Sequence, residues 1–206
     1  GPAAQDRAAV LEAVTRDGSA LQFAPHALRA DAEVVTKAVT APAGDGRAGD
    51  ALAYADEELR GDGTIVLAAV KAAPQALQHA APELLADRKF AEKAVKLDWR
   101  CLASVSKDLR ADKKLVESAL KQSADALALT PLDADPKVAL VAVKKDGLAL
   151  CHCRPSAQTK DVVLAAVKQN VEALQFVADE SLLRDKDVVA AAKKRGVVLE
   201  GDDDDE

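Results

Sequence analysis

The chain repeats itself with a period of about 25 residues, and this period constrains the fold more than any other feature. In most units an acid is followed three and four residues later by two apolar residues, and seven and eight residues later by two more. Such positions lie on one stripe of an α-helix. The units start at Asp6, Asp31, Asp62, Asp87, Asp112, Asp135, Thr159 and Asp185.

The acid or threonine at the start of each unit is predicted to be the N-cap of a helix of about ten residues, because its oxygen accepts from free backbone N–H groups and an acid also meets the positive end of the helix dipole. Pro136 follows Asp135 at the first helical position, which needs no N–H. Gly18 and Gly147 then predict a turn in which glycine supplies a positive φ.

A second short helix is expected after this turn, with the pattern Ala-Leu-x-aromatic-Ala. Clear copies are Ala20–Ala24 and Ala51–Ala55. A leucine and a basic residue, as in Leu28 and Arg29, lead into the next acid.

One such unit has too little apolar surface to fold alone, so neighbouring units are expected to stack. We therefore predict an all-α fold, a solenoid-like array of about seven and a half two-helix repeats without a β-sheet. Residues 1–200 are expected to form one helical-repeat domain, with 201–206 as an acidic tail. The half repeat after Asp185 ends in Lys193, Lys194 and Arg195 and has the character of a cap.

Composition narrows the possible partners and compartments. Aromatic residues are 2% of the chain and methionine is absent, so Ala, Val and Leu must fill the core. A net charge of -6 argues against binding to nucleic acid, where contacts to phosphates supply most of the affinity. Three cysteines are a poor disulfide framework and favour a reducing compartment. No apolar run is long enough to span a membrane, so a soluble intracellular protein without membrane insertion is expected.

The chain begins with Gly1 and Pro2 rather than methionine. Two interpretations stay open: a remnant of expression cloning, or removal of a leading segment. The second includes import into an organelle, where the protein would be an accessory subunit. The sequence thus predicts cytoplasm or the interior of an organelle without choosing between them.

The repeat resembles the family called domain of unknown function 4116. The resemblance rests on Asp161–Asn170, Ala173–Phe176, Asp56–Arg60 and Lys144–Leu150, and extends from Asp6 to Arg195. It implies tandem helical units and, by analogy with other solenoids, interaction with other proteins. The chain departs from the family pattern in an insertion after Thr40, in Trp99 at the turn glycine's position, and at Thr130–Leu132.

Cys151, His152 and Cys153 are the most obvious candidates for metal ligands. Consecutive helical residues point about 100° apart and do not converge on one ion. The alignment instead places His152 in the aromatic column and Cys153 in a small-residue column, which predicts two core substitutions; Cys101 has the same interpretation. No Cys/His or Ser/His/Asp arrangement is indicated. We expect no cofactor, no metal and no catalysis.

The candidate partner contacts are basic residues and one tryptophan. Lysines recur nine residues after the start of their unit, at Lys71, Lys96, Lys121, Lys144 and Lys168, with Lys194 in the last unit. They are either a docking strip for an acidic partner or solvated cations at helix C-termini, and the second interpretation is favoured. Trp99 and Arg100 are a candidate contact anchor; packing of Trp99 over a neighbouring unit is the alternative. Arg47 lies in the Thr40–Asp50 insertion, which is expected to be a loop.

The sequence therefore predicts a non-catalytic helical-repeat module that binds one or more proteins, as a scaffold or peripheral subunit. The alternative is the repeat region of a larger enzyme or effector whose catalytic domain lies outside this chain. The identity of the partner, the oligomeric state and the binding face stay open.

Overall fold

The structure is a computed structural model that describes residues 2–41 and 49–199, with side chains from residue 6 onward. Every regular element in these ranges is helical, which confirms the all-α prediction. Predictions for Arg47, for most of the Thr40–Asp50 insertion and for the 201–206 tail lie outside the described residues.

Each repeat begins with a long α-helix, and we label these helices α1 to α8. Their inner stripes of Val, Ala, Leu and Ile are buried, as in Val34, Val35, Ala38 and Val39. The helices are α1 (Pro2–Arg16), α2 (Ala32–Thr40), α3 (Gly63–Ala72), α4 (Arg88–Leu97), α5 (Lys113–Gln122), α6 (Pro136–Lys145), α7 (Lys160–Gln169) and α8 (Lys186–Lys193).

The predicted N-caps are confirmed for α2 to α8. In each case a side-chain oxygen of the first residue of the repeat accepts from one or two backbone N–H groups of the first turn. The capping residues are Asp31, Asp62, Asp87, Asp112, Asp135, Thr159 and Asp185.

The predicted cap at Asp6 is wrong. Helix α1 begins at Pro2, so Asp6 lies inside it. Pro2 fits the first helical position, and Ala3, Ala4 and Gln5 favour helix, so nothing in the sequence stops α1 from extending ahead of the acid.

The second element of each full repeat is a 3-10 helix that begins within two residues of the end of the long helix, except in the second repeat. Its central leucine is fully buried in the first six repeats, at Leu21, Leu52, Leu77, Leu102, Leu127 and Leu150. The segments are Gly18–Phe23, Asp50–Tyr54, Pro74–His79, Trp99–Ala103, Ala124–Leu129, Gly147–His152 and Val171–Phe176.

The turn glycines have a different role from the predicted one. Among the described residues only Gly49 and Gly196 have a positive φ. A Cβ atom on Gly18 would lie 2.1 Å from the carbonyl O of Ala38, and one on Gly147 would lie 2.4 Å from that of Ala166. These glycines are needed because the long helix of the next repeat approaches the turn closely.

A third short helical segment follows in every full repeat, whereas two helices per repeat were predicted. In four repeats it spans the leucine and basic residue that were expected only to lead into the next acid. The segments are His26–Arg29, Glu57–Arg60, Pro82–Ala86, Lys107–Arg110, Pro131–Ala134, Pro155–Ala157 and Glu180–Arg184.

Hydrogen bonds join the third segments of successive repeats. In four pairs a backbone N–H at the start of one segment donates to a carbonyl of the preceding segment. These bonds are Asp56 N to Arg29 O (2.9 Å), Ala81 N to Arg60 O (2.9 Å), Ser106 N to Leu85 O (2.9 Å) and Arg154 N to Asp133 O (3.0 Å). Pro131 occupies the donor position of the fifth repeat and has no N–H, and the Thr130 hydroxyl donates to Arg110 O instead, at 2.7 Å.

The chain divides into two compact units at the bond between Leu109 and Arg110. In the first unit, α1 to α4 pack one against the next, and so do the four 3-10 helices. In the second unit, α5 to α8 pack in the same order, as do the three 3-10 helices. A single domain over residues 1–200 stays a prediction.

Candidate functional site

The predicted lysines lie in, or just after, the last turn of their long helices and are exposed. Lys71 and Lys96 belong to the first unit, and Lys121, Lys144, Lys168 and Lys194 to the second. A cation suits this place because the helix dipole leaves partial negative charge at the C-terminus. None of these six ammonium groups forms an ion pair with another residue that the structure describes.

The residues that follow Lys144, Lys168 and Lys194 have a different role, because each reaches the helix of the preceding repeat. The Lys145 ammonium donates to Lys121 O at 2.8 Å, and the Gln169 amide donates to Lys145 O at 3.3 Å. The Arg195 guanidinium donates to Lys168 O. These bonds satisfy carbonyl groups in the last turn of a helix, which have no N–H partner within that helix.

Gln169 makes a second contact through its other amide atom. Its Oε1 accepts from the backbone N–H of Gly147 at 2.6 Å, so one side chain joins the end of α6 to the turn that follows it. The structural contacts at these helix ends are thus made by the residue ten positions after the start of the repeat. The lysines nine positions after the start are exposed to solvent.

A groove of about 240 Å³ lies between α7 and α8 at this edge of the second unit. Leu164, Ala190 and Ala191 provide apolar surface, and Lys168, Lys194 and Arg195 provide three cationic groups. The one carboxylate in the lining, Asp187, has its Oδ2 2.6 Å from the Lys160 ammonium. The groove therefore combines apolar surface with an excess of positive charge.

One protein family is similar to part of the chain. The sequence model of a family described as "Domain of unknown function (DUF4116)" matches residues 6–41 and 87–133, which is less than half of the chain. The predicted resemblance is confirmed. No curated protein and no solved structure matches.

The matched segments of the DUF4116 resemblance include Lys96, Trp99, Arg100 and Lys121, but not the groove between α7 and α8. The family description assigns no activity, so nothing in the comparisons gives these residues a role.

Trp99 and Arg100 open the fourth 3-10 helix. Trp99 is half-buried, and the Arg100 side chain is 63% exposed. Arg100 is nevertheless engaged locally, because its Nε and one terminal nitrogen donate to Asp98 at 2.9 and 2.6 Å. These hydrogen bonds lower the pKa of Asp98. The charge of Arg100 is thus matched within its own turn, and its role as a contact anchor stays a prediction.

The cysteines and His152 do not come together as a site. Cys101 and Cys153 are buried as predicted, and burial raises the pKa of each thiol to about 12, far from that of a reactive thiolate. His152 is half-buried rather than in the core; its Nε2 lies 3.7 Å from Asp125 Oδ1. It stands in a column whose described members are at best half-buried, and whose Phe23 is 82% exposed.

Within the described residues no group of three His, Cys, Asp or Glu side chains is placed to hold a metal ion. Among the same residues, no helix combines the length and apolar character needed to cross a membrane.

Two features of the third segments were missed in the sequence. In the first unit, Asp56, Glu57, Glu58, Glu83 and Asp87 line an open acidic depression of about 790 Å³. In addition, the buried Nε atoms of Arg29, Arg60 and Arg110 have no hydrogen-bond partner among the described residues. Glu57 and Glu58 enter the sequence analysis only as part of the Asp56–Arg60 resemblance, and the recurring Leu-Arg pair only as a lead into the next acid.

Proposed function

We propose that this chain is a non-catalytic helical-repeat module that binds another protein, as a scaffold or a peripheral subunit, with its repeats stacked in a solenoid-like manner within each unit. The observation that carries the proposal is the set of exposed lysines nine residues after the start of their repeats. We call this set the lysine row; it comprises Lys71 and Lys96 in the first unit and Lys121, Lys144 and Lys168 in the second.

The contrast with the adjacent position supports a binding role. In the second unit, Lys145, Gln169 and Arg195 already supply donors to the helix-end carbonyls. The lysine row makes no comparable contact with described residues. A solvated lysine contributes little to stability. Within each unit, cations that recur at one place on successive helices therefore form a surface suited to carboxylates.

An acidic protein fits this surface better than a nucleic acid. The chain as a whole carries a net charge of -6, and a polyphosphate would have to overcome that charge while gaining few neutralised phosphates. A protein segment needs only local complementarity of charge, which the lysine row provides.

The test is affinity isolation of the full-length protein from its natural source, with three versions compared. They are the native sequence, a variant with all five lysines of the row changed to glutamate, and a control with Lys37, Lys89, Lys107, Lys137 and Lys186 changed to glutamate. The control lysines are exposed, lie outside the row and form no ion pair with described residues, so the two variants have the same net charge.

We expect a stoichiometric protein partner with the native sequence and the control, and its loss with the row variant. Helical content, measured by circular dichroism, checks that all three versions fold. Isolation of the native protein without any stoichiometric partner contradicts the proposal. Equal retention of the partner by the row variant contradicts the role given to the lysine row.

A further inference from the structure

The groove between α7 and α8 points to a particular kind of partner. It is defined by Leu164, Lys168, Asp187, Ala190, Ala191, Lys194 and Arg195. Its volume of about 240 Å³ is smaller than the roughly 300–1,000 Å³ of small-molecule sites. A groove of this size suits one side chain of a peptide. The inference drawn from it rests on the proposed function.

The charges around the groove favour a carboxylate-rich occupant. Lys168 and Lys194 stand at equivalent positions of successive repeats, and both are exposed. The Lys160 ammonium lies 2.6 Å from Asp187 and 2.9 Å from Asp185, so it offsets the one acid in the lining. Asp161, at the start of α7, is exposed at the opposite end of the helix from Lys168.

Arg195 gives the groove a positioned donor. Its guanidinium donates to the carbonyl O of Lys168 across the groove, so the side chain spans the two repeats. Arginine carries five N–H donors in a planar fork, and such a fork can also bind a carboxylate. The side chain is already ordered by its bond to Lys168, which lowers the entropy cost of binding a ligand there.

The apolar residues of the groove favour a ligand that also has an apolar group to bury, which charge alone does not require. Leu164 is half-buried, Ala190 is exposed and Ala191 is 6% exposed, so the groove presents apolar surface between its cationic groups. A polyphosphate has no group to bury there, whereas an aliphatic side chain gains about 25 cal/mol for each Å² of apolar surface removed from water.

We propose that this groove binds an acidic segment of a partner protein, in which carboxylates flank one aliphatic side chain. The aliphatic side chain occupies the space between Leu164 and Ala190. The flanking carboxylates pair with the cationic groups of Lys168, Lys194 and Arg195.

The experiment measures fluorescence anisotropy of a labelled short peptide of aspartate and glutamate around one central leucine, with the full chain as titrant. A peptide with serine in place of the leucine tests the apolar requirement. The groove variant carries Lys168→Glu and Lys194→Glu, and its matched control carries Lys89→Glu and Lys186→Glu. The variant Ala190→Leu fills the groove without changing charge, at an exposed helical position that accepts leucine.

We expect the native chain and the control to bind the leucine peptide with the same Kd. The serine peptide, the groove variant and Ala190→Leu should each weaken binding about tenfold or more. Equal affinity for the two peptides, or no effect of the groove variant, overturns the proposal. Tighter binding of polyphosphate than of the leucine peptide overturns it in favour of a polyanion.

Two other occupants give their own results. If the peptide binds only after residues 201–206 are removed, the acidic end of this chain is the occupant and the partner proposal is overturned. If the native chain self-associates and the groove variant does not, a second copy is the occupant, with the same consequence.

The same groove variant in the affinity isolation separates this inference from the proposed function. Retention of the partner by the groove variant, together with its loss by the lysine-row variant, overturns the groove and leaves the proposed function standing. Absence of any partner with the native chain overturns the proposed function itself.

Discussion

In both units, side chains donate hydrogen bonds to backbone carbonyls near the C-terminal ends of the long helices. The two units differ in which helix carries the carbonyl. In the first unit the Thr15 and Thr40 hydroxyls donate to carbonyls of their own helices, and Arg16 pairs with Glu12 in the same helix. In the second unit Lys145, Gln169 and Arg195 reach the preceding repeat. The carbonyls at a helix end can thus be bound by side chains of the same helix or by a side chain of the next repeat.

The third segments show a related difference. In the first unit the bonds between successive segments are backbone to backbone, from Asp56, Ala81 and Ser106. In the second unit two of the three links use side chains: the Thr130 hydroxyl donates to Arg110 O, and the buried Gln158 amide accepts from Ala178 N at 2.8 Å. The second unit therefore depends more on particular side chains, and removal of these linking side chains should lower its stability.

The largest loss of stability is expected at the turn glycines, a feature that both units share. Gly18→Ala and Gly147→Ala each place a Cβ against a backbone carbonyl, at 2.1 and 2.4 Å, and should lower the free energy of unfolding by about 3 kcal/mol. The control is Gly61→Ala, whose Cβ would meet its nearest neighbour at 3.4 Å. Chemical denaturation measures all three. A loss at Gly61 as large as at Gly147 would show that the close approach is not the cause.

A smaller effect is expected at Gln169, whose side chain joins two repeats of the second unit. Gln169→Ala removes the acceptor of the Gly147 N–H and the donor to Lys145 O, and should cost about 2 kcal/mol because a part-buried N–H loses its partner. Arg16→Ala in the first unit removes an exposed pair within one helix and should cause no measurable change. Equal losses in the two variants would remove the distinction between the units.

Thr130→Val tests the side-chain link in the third segments. The valine keeps the shape but can neither donate to Arg110 O nor accept from the backbone N–H of Leu132, so the free energy of unfolding should fall by about 1.5 kcal/mol. Thr130→Ser keeps the hydroxyl and should restore most of the loss. A valine variant as stable as the native chain would show that the hydrogen bonds of the hydroxyl contribute nothing to the stability.

The smallest effect concerns ion pairs that occur in both units. Arg7 lies 2.9 Å from the capping Asp31, and Lys113 lies 2.6 Å from Asp135, and these basic groups lower the pKa of both carboxyls. A lowered folded-state pKa stabilises the chain above the unfolded value of about 3.9, and this contribution is lost as the pH falls through the folded value.

Arg7→Gln and Lys113→Gln should therefore raise the pKa of Asp31 and Asp135 toward that ordinary value. Carboxyl titration by NMR measures the change, and 0.5 M salt should reproduce part of it because the pairs are partly exposed. Titration curves that do not move in either variant would show that the backbone N–H groups alone set these pKa values.

The helical class, seven of the eight caps and the apolar stripe could be predicted because each depends on residues close together in the sequence, within one helix. The cap at Asp6 failed because an acid also fits inside a helix when Ala3 and Ala4 precede it. The turn glycines were assigned a positive φ because one repeat viewed alone does not reveal the carbonyl of Ala38 or Ala166 in the next.

The candidate site was predictable only in part for the same reason. The lysine row follows from the period, but the roles of Gln169 and Arg195 depend on contacts between repeats, which a single-repeat pattern does not contain. The alignment of His152 with Phe23 and Phe176 predicts a core position, yet Phe23 is exposed and His152 is half-buried. His152 instead lies near Asp125, in the preceding 3-10 helix.

The most direct test of the central claim is a lysine-reactivity footprint of the full chain, alone and with the partner recovered by affinity isolation. Acetylation of each lysine is measured by mass spectrometry. The account predicts that the five lysines of the row lose reactivity on binding, while Lys37, Lys89 and Lys107 keep theirs. Protection of those three lysines with the row still reactive would contradict it.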